Sequence, residues 1–575
     1  MQQAQEIHSA AEARVIRQLV EAILFECLLV VEEECKVDGS MQFNIYGKSR
    51  VFSVEGRKRA FDRYSINIKS LKEVANNLDK DKEKTMLQKI VHELPGDEYM
   101  KSQLLKELEQ TIVLSEYYKK IKNRRLLSYE ELESAVIEGH PYHPCFKART
   151  NFSLQDHQMY GPEYGHSFQL QWIAVEKEKA QLLAANEESF WRDELGESVL
   201  QQLQRMLRDK GGSVKNYIFF PVHPWQWKKL LSDQNMIQLL KKKEIIPLGQ
   251  VGDRYRATQS VRTLWNETNN RKAFVKLPIN MVNTSSQRTI PVHSIYSARA
   301  ISTWLRTIIK SDEYLSVEAR LSILEEYGGV VLKDSPEIQS YLLDQLNVIW
   351  RQSVSSCLEE GEKAIPFTAI SLMEEDSRPF INDWINDYGV EAWIMQLINV
   401  AIVPTWHLLA CHGIAVEAHA QNMILVHREG WPVRIILRDF HESIEYNEEF
   451  LLHPHNKPNF RDLHPFYKEA KDDEAYWMSS IEALRELLMD TLFVFNLSEF
   501  MMLIEHYYGV SESNQLSMVD SAIESHLARF PEMRRRHAAI GYKKGNIYAE
   551  SLLAKKLHRE KGEFRHVISN PFATL

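Results

Sequence analysis

Glu417, Asn422 and Asp439 stand in one stretch, HGIAVEAHAQNMILVHREGWPVRIILRDFHE, running from His412 to Glu442. An acid, four residues, an amide and then a strand pair ending in Asp is the order in which kinase-like enzymes hold Mg²⁺ against the phosphates of ATP. MILVH and VRIILRD predict two short strands joined at Arg428-Glu429-Gly430, a hairpin that returns Asp439 to the side of Asn422. A surface hairpin with ordinary polar residues fits the same short pattern, so its weight depends on what accompanies it.

Three further clusters do. GHPYHPCFKAR (139–149) puts His140, His143, Lys147 and Arg149 on one irregular segment. Apart from Cys145, no Asp or third His stands nearby at ligand spacing, so a loop offering imidazole and two cations to an anion is the better reading than a metal site. ATQSVRTLW (257–265) and FVKLPINMVNTSSQRTIP (274–291) bring Ser260, Arg262, Thr263 and Lys276, all able to donate to phosphate. The competing reading of Lys276 is a lysine guarding a sheet edge. No GxxxxGK[ST] loop occurs, which excludes a P-loop protein. PVHPWQ (221–226) reads as a rigid turn packed by Trp225.

The elements that must carry these residues alternate in type. Helix is expected over 4–36, strands over MQFNIYG and SRVFSVEG, and helix again over 67–138. A mixed section follows to about 295, with strands in SFQLQWIAVE, YIFFPVHP, TQSVRTLW and AFVKLPINMV. Beyond it, helix is expected at 314–330, 335–360 and 380–412, and after the hairpin to about 560. The picture is an α+β protein of interlocked parts around one cleft. At 575 residues with 44% hydrophobic and 26% charged residues, the chain has the make-up of a globular protein with a large core. Five scattered cysteines without a CxxC pair argue against a disulfide framework and suit a reducing, cytoplasmic compartment. No uninterrupted run reaches eighteen apolar residues, so no membrane span is expected. A net charge of −9 argues against nucleic acid as a partner. Yet seven basic residues face one acid between Arg254 and Arg288, which suggests a place for a small anion.

Taken together, GHPYHPCFKAR, PVHPWQ, SVRTLW…VKLPINMVNTSSQRT and EAHAQN…RDFHE resemble the IucA/IucC-like siderophore synthetases, which work without a nonribosomal peptide template. The resemblance covers about 139 to 442, with the motifs in family order. It implies three subdomains likened to thumb (1–138), fingers (139–295) and palm (296–575), an ATP- and Mg²⁺-dependent ligase, and a homodimer. The implied reaction adenylates a carboxylate of citrate or a citrate derivative and passes it to an amine or hydroxylamine. By motif, the resemblance assigns Ser260, Arg262, Thr263, Lys276 and His143 to phosphate. It assigns Gln421 and Asn422 to nucleotide, and Glu417, Asn422 and Asp439 to Mg²⁺. Thr284, Arg288 and His419 are assigned to the carboxylates, with Lys276, Arg288 and His419 as the catalytic set. Lys147-Ala148-Arg149-Thr150-Asn151-Phe152 departs from the family's KxRxGF, with Asn where a left-handed Gly is usual. Arg438-Asp439-Phe440-His441-Glu442 resembles the group that takes monosubstituted citrate or condenses hydroxamate-bearing polyamine units, with Phe440 and His441 suiting an organic arm. The alternatives are a kinase-like phosphotransferase on a small molecule and an inactive binding homologue.

Overall fold

A computed structural model describes residues 7–36, 40–74, 84–559, 562 and 564–575. Its first helix, Ala10–Phe25, starts where the Ser9 side chain accepts the Glu12 N–H at 3.1 Å. It ends far short of residue 36, because Cys27 turns into the left-handed region at φ 52°. Val30–Cys35 then pairs antiparallel with Met41–Tyr46, and Val51–Lys58 and Tyr64–Val74 complete a four-stranded meander. The helix expected over 67–138 is therefore replaced at its start by strand. Helix resumes only at Met86–Glu93, Glu98–Glu116 and Tyr129–Ala135. The expected helical positions 4–6 and 75–83 lie outside the described residues.

An eight-stranded antiparallel sheet forms the middle of the molecule. Its order is Ala180–Ala184, Glu326–Leu332, Val348–Arg351, Phe274–Lys276, Thr263–Asn266, Ile245–Ala257, Phe168–Glu176 and Tyr217–Val222. Two of these strands overturn the helices expected at 314–330 and 335–360. GGVVL and VIWR are short apolar runs, for which periodicity does not separate strand from buried helix. The sheet thus draws strands from both sides of residue 295.

The expected hairpin is present. Met423–Arg428 and Trp431–Leu437 pair antiparallel around Glu429-Gly430, both at positive φ (49° and 90°), as a two-residue turn of the twisted kind requires. The architecture is mixed α+β with several antiparallel sheets. One buried apolar cluster joins the first helix to the C-terminal helices, while a second fills one face of the large sheet. Two helical runs, Val390–His412 and Ile481–Tyr508, do reach a membrane-spanning length and apolarity, at mean hydropathy 1.5 and 1.7. Packing accounts for that composition, since 78% and 72% of these windows are buried in the fold.

Candidate active site

A cavity of about 680 Å³ lies where the hairpin faces the large sheet. All twelve residues that the family resemblance assigned line it: His143, Ser260, Arg262, Thr263, Lys276, Thr284, Arg288, Glu417, His419, Gln421, Asn422 and Asp439.

The sheet supplies one wall. Lys276 ends a strand that is flanked on both sides, its backbone opposite Thr263 and Ile349, so it is no edge lysine. Its Nζ lies 3.3 Å from Asp439 Oδ1 and 3.2 Å from His441 Nε2. Arg351 Nη1 donates to the same Asp439 oxygen at 2.7 Å. Burial pushes the Asp439 carboxyl up, but Arg351, then Lys276 and Arg438, outweigh it and hold the group well below the usual carboxylate range. Burial lowers Lys276, opposed by Asp439, and likewise lowers Arg262. These are desolvated cations, to which an anion is worth more than in water. Between them the backbone is strained. Val261 sits at φ 65° and Asp439 at φ 64°, and a left-handed β-branched residue is an outlier that a functional site can retain. The turn at Val261 presents Ser260 Oγ to the Thr263 N–H at 3.1 Å.

The hairpin supplies the opposite wall. Arg438 donates its backbone N–H to Asn422 O at 3.0 Å, so the returning strand does set Asp439 next to Asn422. Arg438 also anchors the hairpin, donating to Tyr129 Oη at 2.7 Å and Gln421 O at 2.8 Å and pairing with Glu133 at 2.9 Å. Asn422 Nδ2 donates to Glu417 O at 3.1 Å and faces Glu417 Oε2 at 3.4 Å. The carboxylate that converges on Asp439 is a further one. Glu326, Asp439 and His441 have ligand atoms within 4.8 Å of one another. Glu326 Oε1 accepts from His441 Nδ1 at 2.8 Å, and its Oε2 is buried with no partner. An orphaned carboxylate oxygen beside Asp439 suits a hard cation.

A loop and a short ribbon close the third side. His143 Nδ1 accepts the Cys145 N–H at 3.0 Å, and burial pushes the ring far below its usual pKa. The neutral ring therefore carries its proton on Nε2, a buried atom without a partner. His419 is pinned in the same way by the Gln421 N–H at 3.2 Å. Val282–Asn283 and Ser286–Gln287 form the ribbon, whose turn residue Thr284 has φ 58°. Arg288 Nη2 donates to Thr284 Oγ1 at 2.8 Å, while its Nε is buried without a partner. Burial, then the nearby Arg262, push the Arg288 guanidinium down.

Lys147 and Arg149 do not join this site. Glu163, wholly buried, takes both, at 3.2 Å and 2.7 Å, so they neutralise an internal acid rather than an outside anion. Asn151 adopts the left-handed turn at φ 68° that the family's Gly would take. Phe440 is 1% exposed in the core, so it does not face an organic arm, and His441 instead positions Lys276. Of the seven cations in 254–288, three reach the cavity. Arg256 and Lys272 pair with Glu267 and Asp253, and Arg254 bonds Ser167. Sequence reasoning gave no role to Arg351 and Glu326, which lie in segments read as helix.

Two family models match, "IucA / IucC family" over residues 128–372 and "Ferric iron reductase FhuF-like transporter" over 391–565. The citryl-spermidine/3,4-dihydroxybenzoyl-citryl-spermidine:spermidine ligase of Bacillus anthracis is 36% identical over 580 residues, covering 98% of this chain and 94% of that protein. The chain belongs to the IucA/IucC family. A second member, 2-[(L-alanin-3-ylcarbamoyl)methyl]-3-(2-aminoethylcarbamoyl)-2-hydroxypropanoate synthase of Staphylococcus aureus (strain NCTC 8325 / PS 47), is 30% identical over 99% of this chain and 93% of its own. The crystal structure of the petrobactin biosynthesis protein AsbB from Bacillus anthracis superposes with a TM-score of 0.90 at 35% identity, over 98% of this chain and 95% of that one. The segment matching the reductase model holds one cysteine, Cys411, so it lacks the thiolate set of an iron–sulfur centre.

Proposed function

We propose that this family member is an ATP-dependent ligase of siderophore biosynthesis. It activates a carboxylate of a citrate derivative as an acyl-adenylate with release of pyrophosphate, then joins the acyl group to an amine or hydroxylamine with release of AMP. One observation carries the reading. Arg262, buried, lines a single cavity together with Arg288, Asp439 and Glu442. A cation shared between a carboxylate site and a phosphate site lets two anions meet that otherwise repel each other.

Ser260, Arg262, Thr263, Lys276 and His143 bind the phosphates of ATP. Thr284, Arg288 and His419 hold the citrate-like carboxylates. Glu417, Asn422 and Asp439, joined by Glu326, would hold Mg²⁺, which supplies charge stabilisation to the departing pyrophosphate. The kinase-like alternative requires a free acid to accept a proton from an attacking hydroxyl. At that place Glu417 is engaged by Asn422 and by Ser443 Oγ.

The acyl substrate is a citrate already carrying one amide, and the nucleophile a polyamine. Support for this comes from the reactions named for the two relatives, since buried Phe440 removes the argument from the RDFHE segment. The proposed thumb, fingers and palm follow residues 1–138, 139–295 and 296–575, with Glu326–Leu332 and Val348–Arg351 lent by the palm to the large sheet of the fingers; the protein works as a homodimer, and five free thiols suit the cytoplasm. The deciding assay supplies ATP, free or monoamidated citrate and a panel of polyamines, and measures pyrophosphate and ADP separately. Pyrophosphate release, faster with the monoamide, is expected. ADP as the product would overturn the ligase, and faster turnover of free citrate would overturn only the acyl substrate.

A further inference from the structure

Away from the cavity, a second set of ligand-type side chains converges. The helix Val403–His412 carries His407 and Cys411 one turn apart on one face, and His412 at its end. Asp312 stands at the C-terminal cap of Val292–Ser311 and points at that face. The ligand atoms of Asp312, His407, Cys411 and His412 all lie within 4.8 Å of one another. Asp312 Oδ2 is 3.1 Å from His407 Nε2 and 2.8 Å from His412 Nε2. Both imidazoles are buried, at 2% and 5% exposure, so this is not a solvated surface cluster. Behind them His526, on Glu512–Arg529, sets its Nε2 2.8 Å from His407 Nδ1, and the Tyr314 ring packs against both.

Two imidazole nitrogens, one carboxylate oxygen and one thiol sulfur make a four-donor set. Sulfur and nitrogen select against Mg²⁺ and for zinc-type ions, which take four such ligands tetrahedrally. His526 is placed as an outer partner that fixes the His407 ring with Nε2 turned inward. We propose that Asp312, His407, Cys411 and His412 bind one zinc-type divalent ion, at a site separate from the nucleotide cavity. Binding replaces the Nε2 protons that otherwise lie between the rings and Asp312. The Cys411 thiol gives up its proton on binding, since the thiolate is the ligand. The ion staples the end of one long helix to another. His412 is followed by Gly413 and the strand Ile414–Val416, which leads directly into Glu417, so the staple also roots the cavity's hairpin wall.

The test is titration of the full chain with Co²⁺ in excess Mg²⁺. One ion per chain with intense tetrahedral bands and a sulfur-to-cobalt charge-transfer absorption is expected. Cys411→Ser, conservative in volume, is expected to keep the circular dichroism of the parent and lose the charge-transfer band. His407→Asn is expected to weaken Zn²⁺ binding by about 10-fold or more, in the range that even outer partners command. Absence of the charge-transfer band in the parent protein, or its survival unchanged in Cys411→Ser, would overturn the site. Both readings come from metal spectra alone and stand apart from the ligase assay.

Discussion

The two sides of the cavity are built differently. Thr263 and Lys276 belong to strands bonded on both sides within an eight-stranded sheet, and Asp439 is gripped by Arg351 and Lys276. Thr284 stands at the turn of a ribbon of two-residue strands, and Arg288 follows that ribbon, its backbone bonded to Ile279 and Met281 rather than into a sheet. The first side offers rigid, pre-set charge, which suits a cosubstrate whose shape never varies. The second can yield, which suits an acyl substrate that differs from one family member to the next. If that division holds, damage to the sheet side strikes chemistry, and damage to the ribbon side strikes substrate affinity.

Lys276→Ala gives the largest expected effect. Loss of one preorganised donor lowers pyrophosphate release by about 10²-fold or more. The orphaned Asp439 charge keeps Arg351, so the fold survives. Single-turnover adenylation measures this, and an unchanged rate would remove Lys276 from the phosphate site.

Arg288→Ala comes next, at roughly 10- to 100-fold in kcat/KM for the carboxylate, the range for a lost hydrogen bond to a charged group. ATP binding, followed by nucleotide fluorescence, stays within about twofold on the same principle of separate sites. Equal loss of both would move Arg288 to the nucleotide side and erase the contrast. Thr284→Ala removes only the acceptor of Arg288 Nη2 and is expected to raise KM for the carboxylate roughly threefold to tenfold with kcat unchanged. A fall in kcat alone would mean that the ribbon acts in the chemistry.

The division also explains what the sequence revealed. The hairpin was legible because a positive-φ turn and two apolar runs are local signals, and Asn422 and Asp439 follow from its register. Lys276 was legible as a strand residue, but its central position was not, since one of its two neighbours, Val348–Arg351, comes from far along the chain and reads as helix. Arg351 and Glu326 were missed for the same reason. Their short strands look like helix until the sheet pairs them, so the cation that holds Asp439 and the acid that holds His441 could not be seen. Lys147 and Arg149 erred in the other direction. Their charges were plain, while the buried Glu163 that consumes them could be found only in three dimensions.

The smallest effect sharpens the contrast between two histidines that precede prolines. His143 and His223 share one device, Nδ1 accepting a backbone N–H two residues on, at 3.0 Å and 3.1 Å, with Nε2 buried and unpartnered. His143 opens on the cavity, whereas His223 faces the rings of Tyr160 and Phe168, both 5.1 Å away. His223 is thus a structural cap, as PVHPWQ read as a rigid turn implies. Burial alone pushes it down to about 3 from an ordinary 6.5. Between those values the unfolded chain binds the extra proton and the folded one does not. Stability is therefore full above 6.5 and falls as the pH drops through this window. At pH 5 the loss is about 2 kcal/mol, at ~1.4 kcal/mol per pH unit. Asn also caps helix starts, so His223→Asn keeps the acceptor and removes the proton site. The urea midpoints of parent and variant are expected to converge between pH 7 and pH 5, with the activity of the variant within about twofold of the parent at neutral pH, as for any site remote from the chemistry. A constant gap between the midpoints across that range would mean that His223 does not titrate as a buried cap, and a large loss of activity would make it a second cavity histidine.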